Sequence, residues 1–255
     1  VTVDWDGTTL PDPGGNPQRK VVTVIPTDLG LKINVNNINP ADPVKNIRLW
    51  MPGFENARSL FHPKFISRLK AFKVLRFMDG QKTNGSDEVL WSDRKKHTHA
   101  FQNDNNGGVA LEYMIELCNL LEADPWFCMP HKAAGTGEDD YVTKFAQMVR
   151  DGDIANGVTA LHSEATIYIE WSNERWNIEF SQYSWLDPVP RSDAWFNKWA
   201  DEAGNDFIIW GNIFDTDSRT LVRVVSGHKE VDWIIENVLG SVSKPILPPV
   251  SGSVG

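Results

Sequence analysis

Two cysteines in 255 residues, Cys118 and Cys128, are too few for a disulfide framework. Both lie in apolar surroundings, IELCNLL and PWFCMPH, without metal-ligand spacing, and read as buried free thiols. No apolar run approaches the roughly 20 residues that span a bilayer, which argues against membrane insertion. Basic charge is also scarce. Lys and Arg number 25 against 34 Asp and Glu, a formal net charge of −9. So acidic a chain lacks the cationic surface that holds phosphate backbones, and nucleic acid is set aside as a partner. No Gly-x-Gly-x-x-Gly follows the first strand-like run of the regular region, which weakens a dinucleotide-binding reading. No cofactor is expected. His97-Thr-His99 follows the basic run Arg94-Lys-Lys, a solvated segment by composition, and clustered His and carboxylate ligands are missing; no metal is expected.

Tryptophan is what the chain has in excess, with eleven residues. Its broad apolar face and single polar edge suit stacking on sugar rings, and equally suit cores and interfaces. Asn84-Gly85-Ser86 matches the glycosylation acceptor pattern, a tripeptide common by chance. The chain opens Val1-Thr-Val without Met, which fits a processed amino terminus and an expected secreted or periplasmic location.

Residues 1–44 read as a small β appendage. Leu10 to Pro17 is a loop by composition, and Val21–Ile25 and Leu29–Val35 are short β-type runs. From Lys45 to Gly240 the pattern is regular, and 241–255 is a Pro/Gly/Ser-rich tail. Strands are expected at Ile47–Met51, Val74–Met78, Trp126–Met129, Thr166–Trp171 and Leu221–Val225. Helices fall between and after them. Phe65, Ile66, Leu69 and Phe72 share one face, as do Met114, Leu117, Cys118 and Leu121, and again Tyr141, Phe145, Met148 and Val149. Further helices are expected over 194–203, 207–214 and 231–239. Five strand–helix alternations of nearly unbroken apolar strands predict an α/β fold with a parallel sheet covered on both faces. Pattern alone fits a barrel and an open doubly wound sheet alike.

The most informative stretch is Tyr168-Ile-Glu-Trp-Ser-Asn-Glu-Arg-Trp-Asn177. Period-two geometry puts Tyr168, Glu170, Ser172 and Glu174 on one strand face, with Glu174 emerging at the carboxyl end beside Asn173. A carboxyl there, partly desolvated by Trp171 and Trp176, is expected to serve as a proton donor near neutrality. Glycosidic bond cleavage needs such a donor, with a second carboxylate at the reacting carbon. Bland readings stand beside this one. Asn173-Glu174 suits a helix cap, Arg76 suits a buried pair with Glu170 inside the sheet, and His131 after Pro130 suits a satisfied loop histidine. Trp91, Trp171 and Trp176 are sugar-stacking candidates, at least one of them core.

Trp-Ser-Asn-Glu at the end of a fourth strand resembles the clan A glycoside hydrolases, retaining (β/α)8-barrel enzymes. The resemblance covers roughly residues 20–240. It implies TIM-barrel-like parallel βα repeats, with about five of eight units in this chain. It makes Glu174 the acid/base and Asn173 a contact to the sugar 2-hydroxyl. Arg76 would orient the nucleophile and His131 would contact substrate. The nucleophile of that clan is a glutamate ending the seventh strand. Only fifteen residues follow Gly240, none a carboxylate, while a βα repeat needs about 30 residues. The nucleophile is therefore unknown. Asp79 or Asp93 paired with Glu174 in an inverting arrangement is a minor alternative.

The expectation is a glycoside hydrolase-like protein acting on a β-linked poly- or oligosaccharide. The alternative is a non-catalytic carbohydrate-binding or self-assembling protein on a degenerate barrel. An unclosed sheet leaves edges with unpaired backbone groups, so a homo-oligomer, a complementing chain or cover from the amino-terminal β segment is also expected.

Overall fold

The computed structural model describes residues 2–7, 18–23, 34–36, 38–54, 60–99, 101–102, 107–186 and 188–240. The expected strand at 29–35 lies almost wholly outside them, as do the loop at 10–17 and the tail. The chain divides into two compact units, Val1–His62 and Pro63–Gly255, each with its own sheet.

The first unit is a three-stranded antiparallel sheet of β1 (Thr2–Asp6), β2 (Arg19–Val21) and β3 (Lys45–Trp50), in the order β2-β1-β3. Asp4 organises it. Its carboxylate accepts from Arg19 at 3.2 Å, from the Trp50 indole at 2.8 Å and from Arg48. Burial opposes the charged form, but these bonds outweigh it and hold Asp4 below the ordinary carboxylate range. The pairing corrects the sequence expectation: the run around Ile47–Met51 opens no parallel repeat but pairs antiparallel with β1. The reason is period-two alternation. Arg48 and Trp50 turn toward Asp4, while Ile47 and Leu49 are about half exposed, so β3 is not covered on both faces. Gly7 follows β1 at φ +90°, where a Cβ would stand 2.1 Å from the Pro43 carbonyl oxygen; only glycine fits.

The second unit is α/β. Helix α1 (Pro63–Leu69) leads to β4 (Val74–Arg76), α2 (Leu111–Leu121), β5 (Asp124–Met129), α3 (Tyr141–Asp151) and β6 (Thr166–Trp171). Helices α4 (Ser181–Leu186) and α5 (Asp193–Ile213) then precede β7 (Thr220–Val224) and α6 (Asp232–Gly240). The four strands form one parallel sheet in sequential order β4-β5-β6-β7. The described residues form no closed barrel. Apolar stripes dictate the layering as expected for α2 and α3: Met114, Leu117 and Cys118 are buried, as are Tyr141, Phe145, Met148 and Val149. In α1 no residue is buried; Phe65 and Phe72 are 46% and 58% exposed.

Two helices were expected over 194–214, and the structure has one. Gly204 falls inside it, yet an interior glycine costs only about 1 kcal/mol. A continuous buried face of Trp195, Trp199, Ala200, Ala203, Phe207 and Trp210 offsets that cost. Ser192 caps the helix, its hydroxyl accepting from the Trp195 amide at 3.2 Å. These indoles explain much of the tryptophan excess. Trp195, Trp199 and Trp210 are at most 1% exposed, and Trp210 meets the ring of Phe145 on α3 and that of Phe127 on β5. They pack the core.

The same face buries Asp206. Removal from water, reinforced by Glu202 and Asp140 nearby, pushes its carboxyl well above the ordinary 3.8. The folded state thus keeps a proton that the unfolded state releases, and stability declines as pH rises above 3.8. Asp206→Asn is expected to raise the Tm at pH 7 by several degrees and to flatten that decline. Thermal melts of both proteins between pH 4 and 8 check it.

Candidate functional site

Register places the polar side chains at one end of the sheet. Arg76 sits opposite Trp126, and Trp126 opposite Tyr168, with Glu170 two residues further along β6. Glu170 is fully buried, and its Oε2 accepts from Arg76 at 2.7 Å and from the Trp126 indole at 3.0 Å. The Arg76 guanidinium lies 5.0 Å from the centre of the Trp126 ring, which in turn stacks on Tyr168. Burial pulls the arginine pKa down, but Glu170 outweighs it and holds Arg76 above its ordinary value. The pairing of Arg76 with Glu170 is thus present, but only the carboxylate is buried; the arginine side chain is 35% exposed.

Arg76 also reaches Asn173, donating to its Oδ1 at 2.9 Å. The Asn173 amide nitrogen donates to Asn84 Oδ1 at 3.1 Å. Gln182, fully buried on α4, closes the network: its amide nitrogen donates to Asn84 Oδ1 and to the Asn173 carbonyl, each at 2.8 Å. Asn173 is 4% exposed, so its first role is to fasten the end of β6.

Immediately beyond the strand the backbone turns sharply. Ser172 has φ +60° and Glu174 φ +39°, left-handed values that non-glycine residues adopt at a cost of about 1 kcal/mol or more each. This ends the period-two pattern and turns Glu174 away from the buried face of Glu170. Glu174 is half-buried and lines a groove of about 550 Å³ with Trp176, Asn177, Ile178, Gly227, His228 and Lys229. Asn177 donates to Glu174 Oε2 at 3.1 Å. Across the groove, His228 Nδ1 accepts from the Glu230 amide at 3.2 Å, so the neutral ring carries its proton on Nε2. The ring stands edge-on to Trp176, 5.7 Å between centres.

Of the residues singled out from sequence, Arg76 and Asn173 are bonded, and Glu174 and Trp176 share the groove. The others stand apart from it. Trp171 is 2% exposed against Trp185, without an open face for a ligand. Trp91 packs on Arg94, Tyr141 and Phe145. His131 is 1% exposed beside Trp185. Burial, with Lys132 and Lys198 nearby, pushes it down to about 4, and neither ring nitrogen has a hydrogen-bond partner among the described residues. Asp93 accepts from the Val89 and Leu90 amides as a turn cap, and neither it nor Asp79 lines the groove. Among the described residues no three His, Cys, Asp or Glu side chains group closely enough to hold a metal ion, and no helix is long and apolar enough to cross a membrane. Sequence reasoning missed Asn84, Gln182 and His228, which belong to loops or to α4.

No protein family, curated protein or solved structure matches the chain.

Removing one partner of the Arg76–Glu170 pair leaves the other without its counter-charge, whereas removing both does not. In a double-mutant cycle with Arg76→Met and Glu170→Gln, urea melts are expected to give a coupling energy of about 1–3 kcal/mol, the double variant losing less than the sum of the singles. His131 generates a pH prediction. Its folded pKa lies below the unfolded 6.5, so its contribution is complete above 6.5 and is lost as pH falls toward about 4. Wild type is expected to lose up to about 3 kcal/mol through this group over that window, and His131→Gln less, as measured by melts at stepped pH.

Proposed function

We propose that the groove around Glu174 receives a β-linked glycan and that Glu174 protonates the glycosidic oxygen. The observation that carries this reading is the pairing of a half-buried carboxyl with the indole of Trp176 in one groove at the strand ends. Trp176 offers an apolar platform to a sugar face, while Asn177 and the Nε2–H of His228 supply polar contacts to hydroxyls. Asn177 also orients the carboxyl through its bond to Oε2. The resemblance to the clan A glycoside hydrolases supports the same role for Glu174. In that reading β4–β7 are the second to fifth strands of a (β/α)8 barrel, and the open edges at β4 and β7 are covered by a second copy or a complementing chain. A secreted or periplasmic site of action fits a polysaccharide substrate.

Hydrolysis needs a second carboxylate, about 5–5.5 Å from the first for retention and about 6.5–9.5 Å for inversion. Among the described residues Glu174 is the only acidic one lining the groove, and Glu170 is buried against Arg76. The second carboxylate thus comes from outside that lining. The same observation favours a second reading, glycan binding without turnover.

Release of reducing ends from a panel of β-linked polysaccharides separates the two. Catalysis predicts release by wild type and a loss of about 100-fold or more in Glu174→Gln, the usual cost of removing a general acid. No release, with tryptophan fluorescence that titrates with glycan, supports binding alone. Equal release by both proteins removes Glu174 from the mechanism, and neither release nor binding overturns both readings.

A further inference from the structure

Arg175, next to Glu174 in sequence, takes no part in the chemistry above, yet it is among the most deeply buried side chains of the molecule at 1% exposure. Its guanidinium is sandwiched between two indoles, 4.0 Å from the ring centre of Trp199 on α5 and 4.9 Å from that of Trp171 on β6. One terminal nitrogen donates to the Ser226 hydroxyl. Its Nε and other terminal nitrogen have no partner among the described residues. Burial without a bonded carboxylate drives its pKa down to about 9, partly opposed by the nearby Glu170 charge. A lone structural cation in such a place is costly, and an apolar side chain would fill the indole sandwich as well. What an apolar residue would not supply is the bond to Ser226.

That bond joins the two sides of the groove. Arg175 is flanked by Glu174 and Trp176, which form one wall, and Ser226 directly precedes Gly227, His228 and Lys229, which form the other. Glu174 itself, with its left-handed backbone, is held from both sides: Asn173 is tied to Arg76, Asn84 and Gln182, and Arg175 is clamped by indoles and Ser226. Left-handed backbone at a non-glycine residue persists only where its surroundings over-determine it. Those two anchors provide that over-determination.

We infer that Arg175 is a positioning residue: through its Ser226 bond it sets the separation of the groove walls and keeps Glu174 in its left-handed conformation within the groove. The consequence for glycan rests on the reading of the groove given above; the clamp itself does not.

Hydrogen–deuterium exchange of the unliganded protein tests the clamp directly. Ser226→Ala removes the acceptor and keeps the small size. Peptides covering 173–178 and 226–230 are expected to exchange about tenfold faster, with β5 and α3 unchanged. Ser226→Thr, which retains the hydroxyl, is expected to restore wild-type exchange. Arg175→Lys, which keeps the charge but loses the planar fork, is expected to behave like Ser226→Ala; should it fail to fold, the serine pair still decides. Unchanged exchange in Ser226→Ala, or equal exchange in the Ala and Thr variants, overturns the proposal. So does acceleration spread evenly over the chain. Because no glycan is present, a protein inactive on every polysaccharide overturns the functional reading alone. If a soluble β-glucan is cleaved, Ser226→Ala is expected to lose kcat about tenfold with a smaller change in KM, and Ser226→Thr to recover it.

Discussion

A carboxylate without access to water, Glu170, is the constraint around which the second unit is arranged. Desolvating such a group is expensive unless opposite charge and hydrogen-bond donors meet it. At one oxygen, Oε2, Arg76 and the Trp126 indole do so, and each comes from a different strand. Their meeting requires β4, β5 and β6, which run parallel, to keep one register, since a slip of one residue would turn each side chain to the opposite face. The ion pair therefore specifies the alignment of the sheet, and the guanidinium, reaching on to Asn173, extends that specification into the loop from which Glu174 projects.

Much of the architecture is legible in the sequence. The strands expected at 74–78, 126–129, 166–171 and 221–225 form within two residues of those bounds, at 74–76, 124–129, 166–171 and 220–224, because mostly apolar runs suit a sheet packed against helices. The misassignment of the run around Ile47–Met51, which pairs antiparallel as part of β3, has the same root. A short run of apolar residues looks alike whether its neighbour is parallel or antiparallel, and the choice was made by Asp4, forty-four residues earlier in the chain, through its bond to Arg48. The single helix at 193–213 stands in place of the two expected over 194–203 and 207–214, because the buried face that carries it past Gly204 is a matter of packing and not of local sequence.

The site was legible where chemistry and periodicity coincide, at Arg76, Glu170 and the Asn173-Glu174 pair. It was illegible where contacts span the chain. Asn84 meets Asn173 across 89 residues and Gln182 across 98. Nothing local in an asparagine after a threonine, or a glutamine in a six-residue helix, announces such a meeting. Nor did the alternation that put Glu174 in line with Glu170 foresee the left-handed turn at Ser172. That turn gives the two carboxyls different environments, one sealed in the sheet and the other open to solvent.

The Asn84 side chain also bears on how the protein can be made. Its amide nitrogen faces the Met78 sulfur at 3.7 Å, and its oxygen already accepts from Asn173 and Gln182. An oligosaccharide attached to that nitrogen in a eukaryotic secretory host, as the Asn-Gly-Ser tripeptide invites, would be added to the nascent chain before the loop closes. The modified asparagine would then be unable to enter its pocket, and a glycosylated preparation would carry an altered strand end beside Glu174 while leaving the distant helical core intact.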